Sequence, residues 1–173
     1  MAEPAAQRPD MSDYGVDTPG WEALPWSWAA ERLAASRNFW LVTVSAEGRP
    51  HSMPVWAVWH DDEALGCFSC APGARKARNL GANPQAVLTT SDTVECVSIE
   101  GNARLLDQGD GGRHERAESW IDRYLEKYLP LAPDLSAPFF RQNLLFEFVP
   151  ERAFGIIERE EEFAQRATRW VFS

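Results

Sequence analysis

The chain has 173 residues and a formal net charge of −9, with 26 acidic side chains against 17 basic ones. This length suffices for one domain with a substantial core, and a hydrophobic content of 45% with eight tryptophans argues against a disordered protein. The acidic balance argues against a general nucleic-acid binder, the three cysteines do not resemble a secreted disulfide framework, and no apolar run reaches membrane-spanning length. We therefore expect a soluble cytoplasmic protein with no nucleic-acid or membrane partner.

The first half of the chain predicts a tail, a helix and then strands. Residues 1–20 are rich in Pro, Ala, Asp and Gly without periodicity, which indicates a flexible N-terminal tail before a single domain over 21–173. A short helix is predicted near Ser27–Ser36. Alternating aromatic and β-branched residues then predict three strands, at Asn38–Ser45, Met53–His60 and Ala64–Ala71. Because the turns between them, at Ala46–Arg49 and Asp61–Glu63, have only four and three residues, the strands predict an antiparallel meander.

The second half alternates between the two patterns. A helix is predicted at about 73–82, where Asn83-Pro84 ends it. Strands are predicted next, at Gln85–Thr90 and Val94–Leu106, and Gly101 inside the second predicts a bulge or bend. After a glycine-rich loop at 108–112, one apolar face predicts the clearest helix of the chain; its members are Ala117, Trp120, Ile121, Tyr124, Leu125 and Tyr128.

The C-terminal part returns to strand patterns. Strands are predicted at Asn143–Val149 and Ala153–Ile157, and an alternating segment closes the chain at 167–172. The charged run Glu158–Glu162 is predicted to be solvated. Six or seven strands with few, short helices predict a mainly β fold, as a small antiparallel barrel or curled sheet.

A basic cluster stands out against the acidic background. Arg75, Lys76 and Arg78 lie in the first turns of the helix predicted at 73–82, just after the Pro72-Gly73 turn. A helix N-terminus favours anions, so basic residues there cost a few tenths of a kcal/mol unless an anion binds. A phosphate would offset that cost through charge-assisted hydrogen bonds worth about 1.5–3 kcal/mol each. The cluster is a candidate phosphate site; a solvated helix start that binds nothing is the alternative.

Other constellations lack the geometry that their chemistry needs. Cys67 and Cys70 match C-x-x-C, but they lie on a predicted strand, where residues three apart point to opposite faces, so core packing is favoured. By the same alternation Trp56 and Trp59 should face opposite sides of their sheet. No metal site is expected, because no second cysteine pair exists and three histidines stand without a partner at ligand spacing: His51, His60 and His114.

In combination, several segments resemble the split β-barrel flavin-binding family typified by pyridoxamine 5′-phosphate oxidase. They are Phe39–Val44, Gly48–His51, Pro54–Trp56, Phe68-Ser69, Arg75–Leu80, Asn83-Pro84 and Ile99–Ala103. The closing segment Ala167–Phe172 is similar to the branch of oxidoreductases that depend on the deazaflavin coenzyme F-420. The resemblance implies a six- to seven-stranded antiparallel split β-barrel. It also implies a homodimer with two cofactor sites at the subunit interface.

The resemblance also implies roles for particular residues. The cofactor phosphate would be held by five of them: Ser69, Cys70, Arg75, Lys76 and Asn79. Pro54, Val55 and Trp56 would run beside the tricyclic ring, largely through backbone contacts, and Trp170 from the second subunit would close the pocket. The cofactor would be deazaflavin coenzyme F-420 or FMN. The protein would pass a hydride between that ring and a small, flat, unsaturated substrate.

Two features depart from the family pattern. Cys70 and Ala74 stand where many relatives have Ser or Thr, so two hydroxyl donors are missing. The C-terminal Arg-Leu-His-Asp-Arg type signature of vitamin B6 oxidases is absent, so pyridoxamine phosphate is not the expected substrate. The missing hydroxyls leave two other interpretations open: a flavin-binding carrier or sensor without turnover, and a ligand-free dimeric scaffold.

Overall fold

The structure is a computed structural model that describes residues 3–14, 20–106 and 112–173. Its strands are β1 (Ala5–Gln7), β2 (Phe39–Val44), β3 (Pro50–Val55), β4 (Ala57–His60), β5 (Leu65–Cys70), β6 (Gln85–Thr90), β7 (Glu95–Leu106), β8 (Leu144–Ile157) and β9 (Thr168–Val171). Its helices are α1 (Trp26–Ala35), α2 (Arg75–Ala82), α3 (Gly112–Tyr128), α4 (Ala137–Arg141) and α5 (Phe163–Arg166). Single 3-10 turns lie at Ser12–Tyr14 and Asp61–Glu63.

Seven strands form a ring in which the last step, from β3 to β4, is a covalent connection and not a strand pairing. Antiparallel pairing runs β3-β2-β6-β7-β8-β5-β4, and β4 follows β3 after the single residue Trp56. Since β3 pairs with β2 while β4 pairs with β5, the barrel is split at that residue. With β3 and β4 counted as one bent strand the ring has six strands, so the predicted mainly β, antiparallel split barrel is confirmed.

Two further strands extend the sheet beyond the ring. The first half of β8 pairs with β5 and its second half pairs with β9. β1 adds to the outer edge of β9, so residues 5–7 of the predicted tail form a strand. Ser12–Tyr14, in the same predicted tail, is a 3-10 turn, and residues 15–19 lie outside the described part of the chain.

In the long pair β7-β8, one continuous strand replaces two strands that the sequence pattern predicted as separate. The segments predicted as two strands, at 143–149 and 153–157, form one strand, and Pro150 lies opposite Gly101 at a register shift of β7. A Cβ at Gly101 would collide with the carbonyl oxygen of Val149, so the close approach requires glycine. The predicted bulge is confirmed.

Other element boundaries follow the sequence patterns with a few differences. α1, α2, α3 and β6 lie where periodicity places them, and the 158–162 segment is mostly exposed, as predicted. The strand predicted at Met53–His60 begins at Pro50 and breaks at Trp56. α4 and α5 are too short, at five and four residues, for helical periodicity to appear. The loop predicted at 108–112 lies outside the described residues except for Gly112, which begins α3.

Two apolar clusters hold these elements together. The first joins the barrel strands to α1 and includes Phe39, Leu88, Phe148 and Trp170. The second forms where α3 packs against β4, β5 and β8, and it contains Trp120, Tyr124, Tyr128, Val58 and Leu145.

The two pairs of side chains predicted to point to opposite faces of the sheet, Cys67 with Cys70 and Trp56 with Trp59, do so. Cys67 belongs to the second cluster and Cys70 to the first, so their strand separates them. Trp56 packs against the second cluster and Trp59 against the first. Within the described ranges, no group of His, Cys, Asp or Glu has metal-site geometry, and no helix has the length and apolarity to cross a bilayer.

Candidate functional site

A cleft of about 490 Å³ opens where the barrel is split. Six of the residues that the sequence assigned to the site line it: Pro54, Val55, Trp56, Ser69, Cys70 and Lys76. The sequence assigned no cofactor contact to the six other lining residues: Ala71, Ala74, Tyr124, Phe139, Phe140 and Asn143. The cleft therefore joins the break between β3 and β4, the end of β5 and the start of α2 to aromatic residues of α3 and α4.

The start of α2 presents unused donors at one side of this cleft. Ala74 is the N-cap residue and provides no side-chain hydrogen bond, so the first backbone N–H groups of α2 have no side-chain cap. Lys76 lies in that first turn, lines the cleft and makes no ion pair with any described residue. The hydroxyl-bearing Ser69 lines the cleft as well. This arrangement suits an anion.

Cys70 lies between this polar side and the barrel core. Burial raises the pKa of its thiol, and the ammonium of Lys76 offsets only part of that effect. The thiol is therefore neutral near pH 7 and is a weak hydrogen-bond donor. Its position at the cleft agrees with the sequence assignment, with sulfur in place of a hydroxyl.

The other members of the basic cluster are oriented differently. Arg75 is exposed and does not line the cleft. The guanidinium of Arg78 donates to the carbonyl oxygen of Gly73 at 2.7 Å, which closes the turn before α2. Asn79 is buried, and its amide donates to Oγ1 of Thr43 at 2.9 Å, which anchors α2 on β2. Of the three basic residues, only Lys76 faces the cleft.

Trp170 lies in the barrel core of its own chain. Its side chain is 0% exposed and meets Trp26 edge-on with ring centroids 5.4 Å apart. A Cβ at Gly155 would collide with the indole, so this glycine makes room for the ring. A side chain without exposed surface cannot contact a ligand held by another subunit in this conformation. The structure therefore does not support the assignment of Trp170 as the residue that closes the partner's pocket.

The aromatic side of the cleft is fixed by hydrogen bonds to backbone. The hydroxyl of Tyr124 lies 2.9 Å from the carbonyl oxygen of Trp56 and 3.0 Å from that of Cys67, and it donates its one proton there. Burial raises the pKa of Tyr124 well above its usual value, so the phenol keeps its proton. Trp56 stacks on Tyr128 at 4.5 Å between ring centroids, and Phe139 is 50% exposed beside the cleft. The helical period predicted the buried face of α3 but not the strands that it covers.

A buried carboxylate fixes α3 to the barrel. Glu147 on β8 accepts hydrogen bonds from Arg104, Arg116 and the indole N–H of Trp120, at 2.9 Å for the indole. Burial acts to raise the pKa of Glu147, but these hydrogen bonds outweigh it and hold the pKa below the usual value. Glu147 is thus ionised at neutral pH and positions the helix that carries Tyr124. No local sequence signal identifies it, because its partners are 27 to 43 residues away.

Comparisons with known proteins agree with this architecture. Solved structures with a similar fold include a heme storage protein, an FAD-binding protein and an F420 reductase. The heme storage protein HutZ from Vibrio cholerae is 22% identical, with a TM-score of 0.58 over 71% of this chain and 87% of that one. An FAD-binding protein from Mesorhizobium loti is 17% identical, with a TM-score of 0.59 over 86% of this chain and 96% of that one. An F420 reductase is 16% identical, with a TM-score of 0.56 over 79% of this chain and 98% of that one.

These identities are low enough that the structural likenesses establish the fold alone. No curated protein sequence matches the chain. The family model described as pyridoxamine 5′-phosphate oxidase matches residues 28–154, which is more than half of the chain. On that match, and on the split barrel that contains the cleft, the chain belongs to the pyridoxamine 5′-phosphate oxidase family.

Proposed function

We propose that this protein is an oxidoreductase that uses the deazaflavin coenzyme F-420 or FMN, bound in the cleft, to reduce or oxidise a small unsaturated molecule. The observation that carries the proposal is the meeting of Lys76 and the uncapped start of α2 with an apolar, aromatic-walled surface. A volume of about 490 Å³ lies within the usual range of cofactor sites, roughly 300–1,000 Å³. The bound ring would supply the hydride chemistry, and the protein would bind and orient it.

At the polar side of the cleft, the chain's own groups suit a phosphate. The Lys76 ammonium provides a charge, the first N–H groups of α2 provide directed donors, and Ser69 adds a hydroxyl. Cys70 occupies the position of a further hydroxyl, but its neutral thiol is a weaker donor. Lys76 and the backbone of α2 would therefore be the main groups that hold the phosphate.

At the apolar side, the chain's residues orient a flat ring and exclude water. Pro54, Val55 and Trp56 form one edge, where the break between β3 and β4 brings backbone to the cleft. Tyr124 directs its hydroxyl at two backbone carbonyls and leaves its ring for packing. Phe139 and Phe140 add apolar surface. A tricyclic ring fits this chemistry better than a polar sugar would.

The weak acidity of two lining residues favours a second candidate function for the same cleft, which is cofactor binding without turnover. Of the described lining residues, Tyr124 and Cys70 both have raised pKa values, so neither gives up a proton near pH 7. Proton transfer during turnover would then come from solvent or substrate. A carrier that binds the cofactor without turnover would need no such group, and it is the alternative.

A second copy of the chain would complete the site. Trp40 on β2 is 45% exposed and pairs across the strands with Pro54, which is itself exposed and lines the cleft. Met53 adds further exposed apolar surface on β3. Exposed apolar surface at the edge of a ligand cleft is typical of a protein interface. We expect a homodimer with cofactor sites at its interface, and W40E should give a monomer in sedimentation equilibrium that binds cofactor more weakly.

Titration of the purified protein with FMN and with coenzyme F-420, followed by fluorescence, tests the cofactor assignment. We expect saturable binding with micromolar or tighter affinity for one of them. Turnover of the reduced cofactor with a small enone would separate the enzyme from the carrier. Failure to bind either cofactor would contradict both candidates and leave the ligand-free scaffold.

A further inference from the structure

A second cavity lies on another face of α3, and none of its lining residues lines the cleft. Its volume is about 310 Å³, and its lining residues come from α1, β4 and α3: Ala34, Val58, Trp59, Arg123, Glu126 and Lys127. Apolar side chains form one side, and three charged residues of α3 form the other. The family resemblance assigns no role to this cavity.

The Lys127 ammonium has a backbone carbonyl and two aromatic rings as neighbours there, but no described carboxylate pairs with it. Its Nζ donates to the carbonyl oxygen of Ala57 at 3.1 Å and lies 5.2 Å from the ring centre of Phe39 and 5.5 Å from that of Tyr128. An ammonium has three N–H donors, yet no carboxylate lies within ion-pair distance of Nζ in the part of the chain that the structure describes. Burial lowers the pKa of Lys127 to about 8, so a sizeable fraction is neutral amine near pH 7.5.

The choice of lysine at this position is informative. The chain contains two lysines, Lys76 and Lys127, against fifteen arginines. The ion pairs between described side chains use arginine or histidine as the cation. Arginine cannot lose its proton in a protein, whereas a buried lysine can. A neutral, nucleophilic amine at this cavity is therefore a property that lysine supplies and arginine would not.

Arg123 provides a second positive charge at the cavity, one turn earlier on α3. Its guanidinium lies 2.7 Å from Nε2 of His60 and also lines the cavity. Two cations four residues apart on a helix repel by a few tenths of a kcal/mol, and this repulsion vanishes when Lys127 is neutral. Glu126 is the acid that lines the cavity, and burial raises the pKa of Tyr128 to about 12, so this phenol stays neutral. Arg123 then remains as the cation available to an anionic ligand.

We propose that this cavity captures a small carbonyl compound that carries a carboxylate, such as a 2-oxo acid, as an imine on Lys127 while Arg123 binds the carboxylate. The amine nitrogen of Lys127 forms a bond to the carbonyl carbon, and the C=O bond breaks. The oxygen leaves as water with the two hydrogens of the amine, and no oxidant or reductant is needed. The apolar side chains of Val58 and Trp59 favour the neutral form of the amine.

Reductive trapping with glyoxylate and cyanoborohydride at pH 7.5 tests the proposal, with the modified amines located by peptide mass spectrometry. Only Lys76, Lys127 and the N-terminal amine can react, so Lys76 is an internal reference. We expect Lys127 to be modified at least about tenfold faster than Lys76, because a lowered pKa enlarges the neutral fraction. In urea-unfolded protein the two lysines should react at similar rates. Equal rates in the folded protein would overturn the capture site.

Two variants separate the roles of the amine and the guanidinium. K127R should lose the fast-reacting site while keeping the unfolding midpoint and cofactor titration of the wild type. R123Q should slow the modification of Lys127 by glyoxylate several-fold but leave modification by acetaldehyde, which has no carboxylate, within twofold. If R123Q slows both reagents equally, or neither, the carboxylate-binding role of Arg123 is wrong.

Discussion

α3 and the start of α2 both contribute residues to the cleft, but the polar groups around these two helices differ in how their hydrogen bonds are satisfied. Around α3, the buried Glu147 accepts hydrogen bonds from two arginines and an indole, and the Tyr124 hydroxyl is bonded to backbone. At the start of α2, the helix has no side-chain cap and Lys76 has no ion-pair partner among the described residues. The polar groups around α3 are therefore hydrogen-bonded within the protein, whereas the start of α2 has donors without a partner among the described side chains.

This difference separates groups that hold the fold from groups that are kept for a ligand. Removal of a buried charge that accepts several hydrogen bonds lowers stability strongly, because the basic groups that donate to it lose their counter-charge. An uncapped helix start with a nearby lysine lowers stability slightly and gains only when an anion binds. Substitutions in the first region should therefore change stability, and those in the second should change binding.

The largest expected effect is on stability, from E147Q. Removal of the charge weakens the hydrogen bonds from Arg104, Arg116 and Trp120, and it should lower the free energy of unfolding by about 2–3 kcal/mol. Urea unfolding at pH 7 measures this loss. The matched control is E100Q, which breaks an exposed ion pair with Arg152 and should cost less than about 1 kcal/mol. Equal costs would show that burial of Glu147 contributes nothing.

The same carboxylate predicts a pH dependence. Because the folded protein holds the pKa of Glu147 below its usual value, its stabilising contribution is complete above the unfolded pKa of about 4.3 and is lost as the pH falls through the folded pKa. The gap in unfolding free energy between wild type and E147Q should stay constant from about pH 6 to 8 and narrow below about pH 4. A gap independent of pH down to 3 would contradict this assignment.

Binding is expected to change most with K76A. Loss of one charge-assisted hydrogen bond, worth about 1.5–3 kcal/mol, should weaken cofactor affinity roughly 10- to 100-fold while leaving the urea midpoint nearly unchanged. R75A is the matched control, since Arg75 is a neighbouring cation that is exposed and outside the cleft. Its effect should stay within about threefold at physiological salt. An equal loss in R75A would restore the role that the sequence gave to Arg75.

The smallest expected effect comes from A74S. Serine at the N-cap of α2 should accept a hydrogen bond from a first-turn N–H and raise the unfolding free energy of the cofactor-free protein by about 0.5–1 kcal/mol. A thermal or urea midpoint measured without cofactor detects this gain. An unchanged or lower midpoint would mean that the first turn of α2 is already satisfied.

Local patterns in the sequence predicted much of the fold. The apolar face of α3, the extent of β6 and the bulge at Gly101 follow from periodicity and from the place of one glycine in a strand. The strand end, the Pro-Gly turn and the helix start predicted a basic cluster at the start of α2, and the family resemblance assigned Lys76 of that cluster to the cofactor site together with Arg75. These features depend on neighbours within a few residues, and such signals are readable from one sequence.

Features that depend on distant pairing could not be predicted. The position of Tyr124 beside Trp56 requires α3 to cover β4 and β5, which no periodicity encodes. Glu147 looks like an ordinary strand residue until Arg104, Arg116 and Trp120 meet it. Asn79 lies one turn beyond Lys76 on α2, but its side chain points to Thr43 on β2 and not to the cleft. Its position in the sequence did not predict this orientation.

The most direct test of the phosphate site compares ligands with and without the phosphate in two proteins. The dissociation constants of FMN and riboflavin, or of coenzyme F-420 and its phosphate-free deazaflavin core, are measured for wild type and K76A. We expect wild type to bind the phosphorylated ligand at least about tenfold more tightly than the phosphate-free one, and K76A to lose most of this preference. A wild type that binds both forms equally, or a K76A protein with the full preference, would contradict the phosphate site.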